Sequence, residues 1–267
     1  MSSNEPIRFN DGAAYERFMG IWSQKVGQAF LQWLAPAQGL RWLDVGCGNG
    51  AFTAMVARDC GPTLMAGVDP SEPQLAYARQ RPDLAGAQWM QGDAMALPCP
   101  DNGFDVAVMP LVIFFVPDPA KGVAEMVRVV SHDGTVCAYA WDMEGGGFPY
   151  APLQSTIRKM GFTVPMPPSP EASNLEVLTQ LWQQAGLTAV ETATFTVERR
   201  FASFDEYWEI IQGGPSVKAQ LAAMSPSEIN TLQATVRELL KPDQATGHIV
   251  CTARANAIKG KVVKPWR

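Results

Sequence analysis

Cations, histidines and paired cysteines are scarce in this chain, and each shortage removes a class of function. Lysine and arginine number 21 against 26 acids, giving a formal net charge of −5. A nucleic-acid partner is excluded on this balance, because it needs a basic face to offset phosphates. Basic residues crowd only at Lys259, Lys261, Lys264 and Arg267, which read as a solvated tail. The five cysteines, Cys47, Cys60, Cys99, Cys137 and Cys251, form no CxxC pair, so no metal site is expected. An odd number closes no disulfide framework, and thiols in a reducing compartment fit best. The longest apolar run, Val106 to Val116, is broken by Pro110 and is too short to span a bilayer. The polar N-terminus has no apolar signal core, so a cytoplasmic location without integral membrane contact is expected. With two histidines, His132 and His248, candidates for a proton-transferring imidazole are few.

What the chain does have is alternation. The run from Leu40 to Val45 ends in Asp44-Val45-Gly46-Cys47-Gly48-Asn49-Gly50, and helical spacing follows through Phe52, Met55 and Val56. This pattern predicts a buried strand, a tight glycine turn and a helix start. Further strands are expected at Thr63–Asp69, Ala87–Gln91, Phe104–Met109, Thr135–Trp141, Thr188–Arg200 and His248–Ala257. Helices are expected between them: from Ser71 as N-cap, over Lys121–Val130 and Leu175–Ala185, and as two or three helices in 203–241. Ahead of the first strand, Ala13 to Leu34 carries aromatic and aliphatic residues at helical spacing. The rhythm predicts an α/β fold with a mainly parallel sheet covered on both faces. Helical cap insertions complete it. The expected organisation is an N-terminal helical cap (1–36), a cofactor-binding core (37–142), and the rest of the sheet (143–267) with lid insertions at 143–175 and 201–246.

A strand, glycine turn and helix at the head of such a domain is a nucleotide-type cofactor site. Amides at such a turn favour an electron-rich or anionic group. Gly46-x-Gly48-x-x-Ala51 also fits a dinucleotide fingerprint, which keeps a nicotinamide cofactor open. Two features tip the choice away from it. Asp44, just before the first glycine, suits a cationic amine and would repel a pyrophosphate. A third strand-end acid, Asp93, joins Asp44 and Asp69, and is placed to grip an adenine amino group. Asp69 follows Gly46 by 23 positions, near the spacing of a ribose-binding carboxylate.

These stretches resemble the class I S-adenosylmethionine-dependent methyltransferases, in the small-molecule branch of ubiquinone/menaquinone-type enzymes. The resemblance rests on Leu43-Asp44-Val45-Gly46-Cys47-Gly48-Asn49-Gly50, Gly67-Val68-Asp69-Pro70-Ser71, Gly92-Asp93-Ala94-Met95-Ala96-Leu97-Pro98, Phe104-Asp105-Val106 and Val116-Pro117-Asp118-Pro119. It implies a Rossmann-like three-layer sandwich whose seven-stranded, mainly parallel sheet has an antiparallel last strand. It also implies S-adenosylmethionine as cofactor, with Asp44 on its amino group and the turn of Gly46, Cys47, Gly48 and Gly50 beneath its methionine moiety. Asp69 would take both ribose hydroxyls, Pro70 and Gln74 would flank the adenine, and Asp93 and Ala94 would read its polar edge. Met109 and Pro110 would line the sulfonium. Tyr15, among the N-terminal aromatics, is expected to cap the cofactor. The loop Leu111-Val112-Ile113-Phe114-Phe115 departs from the family in lacking polar or histidine residues, so no base is expected from it.

The expected reaction is in-line methyl transfer to a small, largely apolar organic acceptor, with aromatic residues Trp22, Phe148, Tyr150, Phe162, Tyr207 and Trp208 in the lid. His248, at the start of an antiparallel strand expected to face the ligand edge, is the candidate base. His132 reads as a loop residue on the opposite edge. The competing readings are an NAD(P)-dependent oxidoreductase and a protein that binds S-adenosylmethionine without transferring methyl.

Overall fold

The computed structural model describes residues 16–264. Its strands are β1 (Arg41–Val45), β2 (Leu64–Asp69), β3 (Gln88–Gln91), β4 (Phe104–Pro110), β5 (Val130–Trp141), β6 (Thr188–Phe201) and β7 (Ile249–Lys261). They form one sheet in the order β3-β2-β1-β4-β5-β7-β6. Pairing is parallel from β3 to β5, and β7 runs antiparallel to both β5 and β6. The mainly parallel sheet with an antiparallel last strand is therefore present as expected.

The helices are α1 (Ile21–Leu34), α2 (Ala51–Cys60), α3 (Glu72–Ala78), α4 (Pro119–Val129), α5 (Ala151–Lys159), α6 (Leu175–Gln184), α7 (Phe204–Gln212), α8 (Pro215–Ala222) and α9 (Pro226–Leu239). One layer has α1 packed on α2 and on β6 and β7; the other has α4 packed on α6. Covering both faces explains why the central strands read as continuous apolar runs: Trp42, Leu43 and Val45 of β1 are fully buried. Helix starts follow local chemistry. Asp118 accepts from the Lys121 N–H at 3.1 Å ahead of α4, with Pro119 where a missing N–H costs little. Ser225 and Glu228 cap α9 reciprocally. No helix among the described residues is long and apolar enough to cross a membrane.

Two topological facts position everything that follows. Strand order reverses between β1 and β4, so a crevice opens at the carboxyl ends of β1, β2 and β4. The turns after Val45, Asp69 and Pro110 therefore meet. Secondly, β6 and β7 continue as a two-stranded ribbon beyond that edge. Ala255 of β7 pairs with Trp141, the last residue of β5, whereas β7 begins at Ile249, opposite Phe201. Those extra residues carry the ribbon on the order of 20 Å past the sheet. The 201–246 insertion hangs from its far end.

Candidate functional site

The three strand ends converge on one cavity of about 1070 Å³. That is at the upper end of ligand pockets, which run roughly 300–1,000 Å³, and leaves room for more than one small molecule. Its floor is the glycine turn. Gly46 (φ +75°), Gly48 (φ +52°) and Gly50 (φ +77°) are all left-handed, a region in which glycine carries no Cβ penalty. The turn closes on itself. Gly46 N–H and Cys47 N–H both donate to the Val68 carbonyl, and Gly50 N–H donates to the Cys47 carbonyl. Gly48 N–H donates to Asp69 Oδ2 at 2.8 Å, and Ala51 N–H to Asn49 Oδ1 at 3.2 Å. With those donors already engaged, the turn offers a surface for close approach and not the row of free amides an anion needs. The expectation that its amides would attract an anionic group is corrected on this point.

The two outer glycines of Gly46-x-Gly48 serve different purposes. A methyl built on Gly46 would lie 2.5 Å from Val112 Cγ2, so this glycine permits packing of the turn on the post-β4 loop. A methyl on Gly48 meets nothing within 4 Å and would project into open space. Gly48→Ala should cost about 1–2 kcal/mol of backbone strain, leave the fold intact and block the floor. Gly46→Ala should cost more, because overlap with Val112 adds to the strain. Thermal unfolding of both variants checks the order, and an equal loss would contradict it.

Asp69, at the end of β2, is 8% exposed and accepts Gly48 N–H on Oδ2 and Ser71 N–H on Oδ1, both at 2.8 Å. Burial pushes its pKa up, and these two amides oppose the shift. Ser71 precedes α3 as expected, but its side chain makes no capping hydrogen bond. Asp44 is fully buried behind the turn. Thr53 Oγ1 donates to its Oδ2 at 2.6 Å, while Oδ1 has no hydrogen-bond partner. Burial raises its pKa to about 7; Thr53 opposes that shift and the nearby Asp69 charge adds to it.

Of the positions singled out in the sequence, Gly46, Cys47, Gly48, Asp69, Pro70, Gln74 and Pro110 lie on the cavity wall. Asp44 and Met109 are fully buried, and Gly50 packs toward Leu84 and Trp89. Tyr15 lies outside the described residues. Asp93 and Ala94 lie off the wall, and the register gives the reason. The residue paired with Asp69 is Gln91, the last of β3. Gln91 is the one that reaches the wall, with its Nε2 donating to the Pro70 carbonyl at 3.0 Å. Asp93, two residues further on, is exposed and accepts Met95 N–H at 2.8 Å in a local turn.

Comparison with known proteins agrees with this geometry. Residues 43–138 match the family model described as a methyltransferase domain. This segment is similar to that domain. An uncharacterised protein of Mycobacterium tuberculosis is 27% identical over 68% of this chain, which spans 66% of that relative's length. A ubiquinone/menaquinone biosynthesis C-methyltransferase of Roseobacter denitrificans is 34% identical over 40% of this chain and 44% of its own. Among solved structures, phosphoethanolamine N-methyltransferase 2 of Haemonchus contortus, in complex with S-adenosyl-L-methionine, superposes with a TM-score of 0.58. It covers 94% of this chain and 56% of its own at 20% identity, a likeness of fold.

Outside residues 43–138, the cavity is closed by segments on either side of them. Phe18, Met19, Ser23 and Gln24 come from the N-terminal helical segment. Met143, Phe148, Gln154 and 164–168 come from the segment after β5. The proline-rich loop is pinned in place: Ser169 N–H donates to the Phe114 carbonyl at 3.1 Å and Ser169 Oγ to the Val116 carbonyl at 2.9 Å. Leu111, also on the wall, has φ +60° and donates its N–H to the Tyr139 carbonyl at 2.7 Å. A β4 end held in this sparsely populated region stores about 1–3 kcal/mol at the site.

No described residue of 201–246 is on the wall, where a lid was expected. The insertion hangs from the end of the β6–β7 ribbon and packs on elements that do line the cavity, with α9 against α5. Of the six lid aromatics, Phe148 alone lines the cavity; Trp22, Tyr150 and Tyr207 are packing residues at or below 1% exposure. His248 is likewise off the wall. It precedes β7 and so sits beyond the ligand edge, where its backbone joins the Asp243 turn. His132 accepts from Lys264 N–H through Nδ1 on the opposite edge. The described wall carries acids at Asp69 and Glu72, and no lysine, arginine or histidine. All five cysteines are free and buried, and no cluster of three metal-ligating side chains occurs among the described residues.

Sequence reasoning missed Ser23, Gln24, Asn49, Gln91 and Gln154. The available signal was weak: Gln24 and Gln154 are uncharged amides on helices, Ser23 a hydroxyl on one of them, Asn49 lies within the glycine turn and Gln91 ends β3. It becomes readable only once the helices are placed.

Proposed function

We propose that the protein binds S-adenosylmethionine at the glycine-turn end of the cavity and transfers its methyl group to a small, largely apolar organic acceptor at the other end. The observation that carries this reading is the mixed lining of one cavity, polar after β2 and β3 and apolar after β4 and β5. The polar part is Asp69, Glu72, Gln74 and Gln91 around a floor of glycines. The apolar part is Leu111, Phe114, Phe115, Phe148, Val164 and Met166. The bound cofactor supplies an already activated methyl on a cationic sulfur. The chain's own task is alignment and exclusion of water, worth roughly 7–11 kcal/mol when orientation is good.

Asp69 suits a pair of hydroxyls, since each of its oxygens has one lone pair held by an amide and another directed elsewhere. Pro70 and Gln74 flank the adjoining surface for the adenine. Asp44, buried and close to Asp69, favours positive charge in its neighbourhood from behind the turn. The names of the quinone-acting relative and of the S-adenosylmethionine-bound neighbour support the same assignment. The engaged turn amides and the uncharged or acidic wall weigh against a dinucleotide, whose pyrophosphate needs free amides or cations. With His248 away from the cavity, the reaction draws on proximity and orientation and not on a resident imidazole base.

Calorimetry with S-adenosylhomocysteine should give a saturable one-site heat, and NAD(P) should give none. Labelled methyl from S-adenosylmethionine should then enter a component of an apolar metabolite extract. Heat without any transfer would leave a cofactor-binding protein that does not methylate. Heat with NAD(P) alone would restore the oxidoreductase reading.

A further inference from the structure

The inner face of the β6–β7 ribbon buries a charge that the methyl-transfer chemistry does not use. Arg199 is 6% exposed. Its Nη1 donates to the Phe18 carbonyl at 3.3 Å, and its guanidinium carbon lies 4.6 Å above the Phe201 ring. The same carbonyl accepts from Tyr150 Oη at 2.6 Å, and the Tyr150 oxygen in turn accepts from Trp22 Nε1 at 3.3 Å. The Phe18 and Tyr150 rings stack at 4.4 Å, with an interplanar angle of 16°.

Phe18 belongs to a π-helical turn, Glu16–Gly20, that precedes α1. Such turns recur at functional sites. Two of its residues, Phe18 and Met19, line the cavity. The other end of the turn is fastened to the glycine floor: Glu16 Oε1 accepts from Asn49 Nδ2 at 3.4 Å and from Arg81 Nη1 at 3.2 Å. Thus one short turn bridges the cofactor floor and the ribbon. The insertion backs it, since a methyl on Gly214 would fall 2.6 Å from the Phe18 ring.

The geometry assigns to Arg199 and Tyr150 the role of positioning residues that hold the Glu16–Gly20 turn across the cavity and set how long the cofactor stays bound. A buried guanidinium is costly unless it is hydrogen-bonded, so swinging the turn away strands Arg199 without this acceptor. Charge-assisted bonds of this kind are about twice as strong as neutral ones. The clasp grips a backbone carbonyl, so it acts on the position of the turn whatever side chain the turn presents. It also gives the 201–246 insertion a purpose: bracing the clasp from behind. This inference rests on the S-adenosylmethionine reading above.

The test compares the full-length parent with Tyr150→Phe, Arg199→Met and Arg199→Lys. Tyr150→Phe deletes one hydroxyl and keeps the ring stack, so it remains informative if Arg199→Met folds poorly. S-adenosylhomocysteine dissociation, followed by stopped flow, should quicken roughly 5- to 20-fold in Tyr150→Phe and Arg199→Met. KM for S-adenosylmethionine should rise by a similar factor, while kcat changes less than twofold. Arg199→Lys, which still donates, should recover part of the loss. Amide exchange at Met19 to Trp22 should quicken in the ligand-free variants. Dissociation and exchange identical to the parent, with only a lowered Tm, would overturn the clasp and leave a packing role. A parent that takes up no S-adenosylhomocysteine would overturn the cofactor reading, and the clasp with it.

Discussion

Asp69→Ala should weaken S-adenosylhomocysteine binding roughly 100- to 1,000-fold, the largest single loss expected at this site. Hydrogen bonds to a charged group contribute about 1.5–3 kcal/mol each, and two ribose hydroxyls give two of them. The same carboxylate also holds Gly48 N–H and Ser71 N–H at 2.8 Å, so its removal frees the floor and the start of α3 together. Asp69→Asn separates these contributions. It keeps one oxygen for an amide but turns an NH2 toward the other, and should fall between the parent and alanine. Calorimetry at pH 8 measures all three. An alanine variant that binds as tightly as the parent would remove Asp69 from the site and weaken the cofactor assignment.

Asp44→Asn should do two opposed things: stabilise the ligand-free protein and weaken its hold on the cationic cofactor. The cause is burial, which raises the Asp44 pKa to about 7 from an ordinary 3.8. Between those values the folded protein holds a proton that the unfolded chain has released. Stability therefore falls as pH rises through the window, by on the order of 4 kcal/mol at 1.36 kcal/mol per pKa unit. Asp69, also shifted upward, acts in the same sense. The titratable groups that couple to Asp44 are Asp69, Cys47 and Cys137, none of which supplies a compensating cation.

Cofactor affinity has the opposite slope. A cation held near the turn gains on the order of 2 kcal/mol from an ionised Asp44 at an effective dielectric of about 20. Affinity for S-adenosylhomocysteine, whose amino group is charged, should therefore climb with pH toward 8 in the parent and stay flat in Asp44→Asn. The variant should also melt several degrees higher at pH 8 without ligand. A parent affinity independent of pH between 6 and 8 would show that Asp44 is not felt by the ligand.

Much of the glycine floor was legible without coordinates. The Asp44–Gly50 stretch is dictated by local rules: only glycine tolerates φ +75° at position 46 with Val112 against it. Asp69 was readable because the last residue of an interior parallel strand has one place to go, the crevice at the switch point. The same reasoning failed for Asp93. Strand β3 is short, and its end is set by pairing with β2, which puts Gln91 beside Asp69 and leaves Asp93 to a local turn. A difference of two residues at a strand end is invisible to periodicity.

The positions of His248 and the 201–246 insertion were not legible for a different reason. Their placement depends on how far β6 and β7 continue after β5 has stopped, a property of two strands 48 residues apart at Phe201 and Ile249. The sequence marks both as strands but does not state their common length. Once the ribbon extends past the sheet, the histidine leaves the ligand edge and the insertion packs on the elements that line the cavity.

The amino-acid order alone settled the sheet, its mainly parallel sense, the glycine floor and the carboxylate at Asp69, because each follows from the conformational limits of a few neighbouring residues. Tertiary packing decided what closes over that floor. Phe18, Phe148, Gln91 and the carbonyl held by Arg199 and Tyr150 come from segments distant in the chain, and their meeting is fixed by strand register and ribbon length. Local propensity acts over a turn or two; which side chains share a cavity is set by contacts that form only when the whole sheet has closed.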